Sequence, residues 1–379
     1  MLASVLKPVD DTRMRGKFAE TLAGRAGTRV HVAGRQSSGT GNGQANIALH
    51  PIFNGRRLSL GRLAAQWRYW RLLQRLKPDL AIVHAPELLP LTLLWQALGR
   101  GRKFLYDIRE NYALNVSTQH VYQGLTRRWL AAGLRWVEGR AAHQAAGVML
   151  AEASYAEELP FLEKLPPDRV VVLENKYQPA PGEMQPNQPR PHPMLHEPLR
   201  LLYSGTISEL NGIWEAVALT QALATTWPGG AHCTIIGFCQ QPELLRQLAE
   251  TVARQPGLFT LIGGAVPVPH AAIVAAIGRS HLGLLPYRPH PSTARCRPTK
   301  LFEYLALGLP ILIPRNWLWA KTMSRHGGGL MLELTPADAA AAHLRQGLER
   351  CRFYPNGIPE DVLWASEGKK LWHLLDTVI

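Results

Sequence analysis

Cysteine is scarce in this chain, with four in 379 residues, and Cys233, Cys239, Cys296 and Cys351 show neither a C-x-x-C pair nor a zinc-like spacing with histidine. Neither a disulfide framework nor a structural zinc site is expected, and all four are read as reduced structural residues. Long apolar runs are also missing: none reaches the roughly 18 uninterrupted residues of a membrane-spanning helix. Lys7, Asp10 and Asp11 stand where a secretory signal would be apolar, so a cytoplasmic protein is expected. No G-x-G-x-x-G occurs. The Gly-rich piece at residues 37–44 lacks that spacing and no helical pattern follows it, so it is read as a flexible loop. Acidic residues are scarce in one part only. Residues 1–150 hold 22 Lys and Arg against 8 Asp and Glu, while residues 151–379 hold 20 of each. The net charge of +14 therefore sits in the first part, which implies an anionic partner there, a membrane surface or a nucleic acid.

What is present is the ordinary composition of a globular protein, 46% hydrophobic and 18% charged, at a length that suits two domains. Short apolar strands are expected at residues 2–6, 28–34, 46–52, 79–84, 103–108, 147–150 and 169–173. Helical patterns separate them, beginning near Asp11 and at residues 59–76, 87–98 and 125–144. A proline-rich stretch at residues 177–198 then reads as an extended, semi-stiff linker. Strands return at residues 199–204, 233–237, 259–264, 281–286, 310–313 and 328–334, with helices from Gly212, over 336–351 and over 363–379. Such alternation on both sides of one linker predicts two doubly wound, Rossmann-like α/β domains, residues 1–176 and 199–355.

The stretch at residues 298–314, PTKLFEYLALGLPILIP, concentrates the chemistry. Pro298 suits the start of a helix and Gly308 its stop, and Leu301, Tyr304 and Leu305 are spaced for its buried face. Lys300 and Glu303, three apart, share the other face. A helix N-terminus with a lysine favours phosphate, while a carboxylate one turn further in repels phosphate but can accept two sugar hydroxyls. A phosphate ester carrying a ribose fits this face. The plainer alternative is a solvated i,i+3 ion pair.

This stretch, with its Gly308-Leu309-Pro310 turn, resembles the nucleotide-sugar signature of retaining glycosyltransferases of the two-domain GT-B class, family 4 (group 1) type. DLAIVHAPELLPL and FLYDIRENY are similar to the strand ends that line the cleft in that family. The resemblance implies two domains facing a cleft, with residues 356–379 ending in a helix that crosses back to the first domain. It implies a nucleotide-sugar as a substrate, UDP- or GDP-linked, with no cofactor and no metal, and the sequence has no D-x-D. Donor binding falls to Gly205, Thr206, Gly264, Ala265, Val266, Lys300 and Glu303. Two cations usual in the phosphate loop are replaced by Thr206 and Asn211, and a Glu common eight positions before Glu303 is Arg295; Arg295 and Arg297 are the available replacement cations. Lys300, Asp107, Arg109 and His84 are the catalytic candidates, and Asp11, Arg109 and Glu110 the acceptor-side ones. A histidine common in relatives is Arg109 here, and Asp107, Arg109 and Glu110 also read as a structural ion-pair cluster. The expected activity is hexosyl transfer to a saccharide or lipid-linked saccharide in surface polysaccharide or glycan synthesis. A GT-B epimerase, or a scaffold subunit with weakened turnover, is the alternative.

Residues 59–76 carry the clearest surface signal of the first half. Leu63, Trp67, Trp70 and Leu73 or Gln74 follow one helical stripe, and Arg68, Arg71 and Arg75 the next. That pattern suits an amphipathic helix at the anionic inner face of a membrane, or a helix packed on its own sheet with snorkelling arginines. No nucleic-acid reader motif is present, so nucleic acid is not an expected partner.

Overall fold

The computed structural model describes residues 1–37, 44–56, 59–114, 124–290 and 294–379; most of the loop at residues 37–44 lies outside them. The chain forms two parallel-sheet α/β units, Met1–Ala180 with Trp364–Ile379, and Pro181–Leu363. Most of the proline-rich stretch therefore belongs to the second unit and is no free linker. Extended backbone needs hydrogen-bond partners outside itself, and here the Arg190 amide donates to the Gly308 carbonyl at 2.9 Å.

The first unit has seven strands: β1 (Leu2–Pro8), β2 (Val30–Arg35), β3 (Ile47–Phe53), β4 (Leu80–Val83), β5 (Lys103–Ile108), β6 (Gly147–Leu150) and β7 (Val170–Val172). They are ordered β3-β2-β1-β4-β5-β6-β7, all parallel. Every residue of β4 and β6 is buried, as helices on both faces of a parallel sheet require. The order reverses between β1 and β4, which pair only at Leu2–Ile82 and Ala3–Val83, so the strands part toward their carboxyl ends. Trp364, Leu371, Leu374, Leu375 and Val378 of the last helix, Trp364–Val378, complete this core with Leu2, Met14, Phe18 and Leu105.

The second unit orders its six strands β10-β9-β8-β11-β12-β13. These are β8 (Leu199–Ile207), β9 (Ala231–Cys239), β10 (Phe259–Gly264), β11 (Leu282–Leu284), β12 (Ile311–Ile313) and β13 (Gly329–Met331), and all pair in parallel. β8 runs past the end expected for it at Ser204, because β9 continues beside it as far as Cys239. On its other side β8 meets β11 only at Leu201 and Leu202. Past those residues that edge of β8 has no strand partner among the described residues, and this is the switch point of the sheet.

Candidate active site

Open α/β sheets bind ligands at the carboxyl ends of the strands beside such a switch point. In the second unit three glycines stand side by side there, since Gly205 of β8 is in register with Gly237 of β9, and Gly237 with Gly263 of β10. Gly205 has φ +95°, and a Cβ on it would lie 1.9 Å from the Lys300 Nζ. A Cβ on Gly237 would lie 1.7 Å from the Gly205 carbonyl oxygen. The row is thus a shelf of bare backbone, with the Lys300 ammonium laid across its β8 end. Gly205, Thr206 and Gly264, donor-side candidates from the sequence, lie at this end of the sheet. The strand was expected to stop at Ser204, before Gly205 and Thr206, whereas both lie within the β8–β9 ladder because the strand is longer. Asn211 turns its side-chain amide back to the Thr206 carbonyl at 3.0 Å. Ala265 and Val266 follow the shelf and are exposed.

Lys300 and Glu303 belong to the helix Thr299–Ala306, where Leu301, Tyr304 and Leu305 are fully buried. The Tyr304 ring lies against Gly283 of β11, and its hydroxyl shares a 2.7 Å hydrogen bond with Ser204 of β8. The helix is therefore anchored across the switch point. Gly308, at φ +63°, stops it, and the Leu309 amide returns to the Tyr304 carbonyl. Lys300 and Glu303 form no ion pair with each other. Instead His270 Nε2–H donates to Glu303 Oε1 at 2.5 Å, while among the described residues the Lys300 ammonium has no hydrogen-bond partner. Burial lowers the Lys300 pKa, opposed by Glu303. Of the replacement cations, Arg297 donates to Thr322 at 3.0 Å and Arg295 is exposed.

In the first unit the candidate residues gather at the carboxyl ends of β1, β4 and β5. Asp107 is fully buried, accepting from Arg13 Nη2 on Oδ1 at 2.6 Å and from Arg13 Nε on Oδ2 at 2.9 Å. His84 Nδ1–H donates to the same Oδ2 at 2.7 Å. Burial alone would raise the Asp107 carboxyl, but Arg13, and then His84, hold it far below the usual carboxylate range. Burial also keeps His84 neutral, against the pull of Asp107; with Nδ1 carrying the proton, Nε2 is left buried and without a partner. Asp107, a catalytic candidate from the sequence, is thus buried with both oxygens engaged, and holds Arg13 and His84 in place. Asp11 caps the helical segment Thr12–Ala19 by accepting from the Arg13 and Met14 amides. It also takes Arg109 on both oxygens, at 2.8 and 3.1 Å. Arg109 and Asp11 are thus a fixed pair that supports the loop after β1, and Glu110 pairs with Lys7 at the surface. Arg13 carries no local signal of this role, because in a basic half it reads like any surface cation.

The helix Gly61–Leu76 packs on the unit through Ala65, Tyr69, Leu72 and Leu73. Of the tryptophan stripe only Leu73 belongs to that packed face, and the Tyr69 hydroxyl is anchored to Thr92 at 2.8 Å. Trp67 is 57% exposed, with the Arg71 guanidinium 4.6 Å from its ring. Trp70, Arg68 and Arg75 join them around an open groove of about 750 Å³ beside Pro51 and Ile52 of the edge strand β3. Arg68 also donates to the Ile52 carbonyl at 3.0 Å. No helix among the described residues is long and apolar enough to cross a membrane. Nor, among those residues, do three or more His, Cys, Asp or Glu converge as metal ligands would.

Residues 13–176, which lie in the first unit, match the family model of the glycosyl transferase 4-like domain. The whole chain has the GT-B fold of glycosyltransferases. It is similar to sucrose-phosphate synthase from Thermosynechococcus elongatus at 14% identity and TM-score 0.66, covering 99% of this chain and 96% of that one. It is similar to the lipopolysaccharide outer core galactosyltransferase WaaB at 13% and 0.63, covering 100% and 99%. It is also similar to HepE from Anabaena, in complex with UDP, at 14% and 0.62, covering 99% of both. No curated protein matches its sequence.

Proposed function

We propose that the protein transfers a sugar, with retention, from a nucleoside diphosphate donor to a saccharide or lipid-linked saccharide acceptor. The observation that carries this reading is Lys300, a partly buried ammonium with no hydrogen-bond partner among the described residues, laid over the Gly205 backbone one turn before the Glu303 carboxylate. The donor diphosphate fits against Lys300, and its ribose diol fits Glu303. When the bond from the anomeric carbon to the diphosphate breaks, negative charge grows on the diphosphate, and a fixed cation there is worth most in the transition state. HepE, which has the same fold, binds UDP, and this supports the donor class.

The test is a thermal-shift panel of nucleoside diphosphates and their sugars on wild type and Glu303→Ala. A ligand at about 100 times its dissociation constant adds about 2.7 kcal/mol of stability. The expected result is one nucleotide that shifts wild type and shifts the variant less. The residues that replace the usual loop cations, Thr206 and the inward-folded Asn211, favour a second reading, a scaffold with weakened turnover. Nucleotide binding without hydrolysis or transfer of the nucleotide sugar would select it.

The first unit carries the basic excess, and its Trp67–Arg71 surface suits the anionic inner face of a membrane, where a lipid-linked acceptor would lie. Each basic side chain near such a surface contributes about 1 kcal/mol. The variant Arg71→Ser/Arg75→Ser should therefore bind vesicles rich in anionic lipid about 30-fold more weakly. Neutral vesicles should show little difference, and equal sedimentation of both proteins with anionic vesicles would remove the membrane reading.

A further inference from the structure

Glu303 is 9% exposed, and the side chain that reaches it comes from another element. His270 opens the helix His270–Arg279, just after the glycine shelf and the exposed residues Ala265 and Val266. Its Nε2–H···Oε1 contact is 2.5 Å, and a bond from an imidazolium to a carboxylate is charge-assisted. The helix that carries Glu303 is already fixed through Tyr304 and Ser204, so His270 is not needed to hold the helix. What it fixes is the carboxylate plane, because the terminal torsion of a Glu side chain is otherwise broad.

We propose that His270 is a positioning residue for the nucleotide, setting the Glu303 carboxylate at the angle at which it accepts the two ribose hydroxyls. The inference rests on the ribose role given to Glu303 above. An ionised carboxylate has about four acceptor sites. The imidazole occupies one on Oε1 and leaves the rest for a diol, which needs two. Around His270 the charged groups are Glu303 and Lys300 of the helix Thr299–Ala306 and Glu183 of the extended stretch before β8. The hydrogen bond to Glu303, with Glu183 adding to it, raises the imidazole pKa against burial and Lys300. The imidazolium is therefore present at a higher pH than in a free histidine, and nucleotide affinity should weaken as pH rises and that charge is lost.

The experiment measures dissociation constants of UDP and GDP between pH 6 and 9, on wild type, His270→Ala, His270→Gln, Glu303→Ala and the variant His270→Ala/Glu303→Ala. A lost charge-assisted hydrogen bond predicts about tenfold weaker binding in His270→Ala, with the pH dependence flattened. Gln, whose amide can donate from the same place, should recover most of the affinity but not the pH dependence. The double variant should bind no worse than Glu303→Ala alone, since His270 acts only through that carboxylate. If Glu303→Ala weakens binding and His270→Ala does not, or if the two losses add in full, the inference is overturned and the ribose role stands. If Glu303→Ala leaves the affinity of both nucleotides unchanged, or neither binds wild type, the ribose role falls and takes the inference with it.

Discussion

Asp107→Ala should destabilise the protein by about 3–5 kcal/mol, the range found when one partner of a buried ion pair is removed. Arg13 is 1% exposed and Asp107 fully buried, so the variant leaves a guanidinium with no water and no counter-charge. Its other contacts cannot neutralise it: they are the Leu173 carbonyl at 2.9 Å, the Asn175 side-chain oxygen at 3.0 Å, and the rings of Phe18 and Trp364. Urea denaturation would read the loss as a lower midpoint at unchanged slope. The pH dependence has a definite sign. Because the folded carboxyl titrates below its unfolded value, its contribution is complete above the unfolded value of about 3.9 and is lost as pH falls below it. Wild type should lose this increment in acid, and the variant should have none to lose. A loss under about 1 kcal/mol would mean that Arg13 finds water or another partner, and that the network is not the support of this sheet edge.

The strand–helix alternation was legible because parallel strands buried on both faces read as short apolar runs, as LAIV of β4 and GVML of β6 do. The helix at Thr299–Ala306 was legible for a different reason, since Pro298, Gly308 and the spacing of Leu301, Tyr304 and Leu305 all agree on it. The pairs between elements were not. Arg13 and Asp107 are 94 residues apart, and His270 and Glu303 are 33 apart; nothing in local periodicity links residues at those separations. A buried arginine looks like a surface one until its partner is known, and so the basic half hid Arg13. Gly237 escaped notice for a related reason: alone it is one glycine at the end of a strand, and it gains meaning only when the register sets it between Gly205 and Gly263. What the tryptophan stripe of the helix Gly61–Leu76 faces was ambiguous, because the pattern suits both a membrane surface and the unit's own sheet. The stripe holding Tyr69 packs inward, where its hydroxyl finds Thr92, and Trp67 is left outside.

Lys300→Ala should lower turnover of the nucleotide sugar about 10²–10³-fold, the effect of removing one preorganised group that stabilises developing charge. Two features of the site argue for the upper part of that range. The ammonium is partly buried and burial depresses its pKa, so the lysine carries a desolvation cost that an incoming diphosphate would relieve. The positions where the resemblance expects two further cations hold Thr206 and Asn211, which leaves fewer charges to share the work. Lys300→Arg should not restore activity. The lysine stem and ammonium crowd Gly205 so closely that a single Cβ there would collide with them, and a planar, forked guanidinium needs more room than that. Gly205 and Lys300 are therefore one device, a residue without a side chain making space for a cation. The stability of Lys300→Ala should not fall with its activity, because losing a partly desolvated charge that has no ion-pair partner among the described residues relieves the fold of that cost. Equal turnover in wild type and Lys300→Ala would assign the charge on the diphosphate to other groups. A joint loss of stability and turnover would make Lys300 a structural residue of the β8 edge.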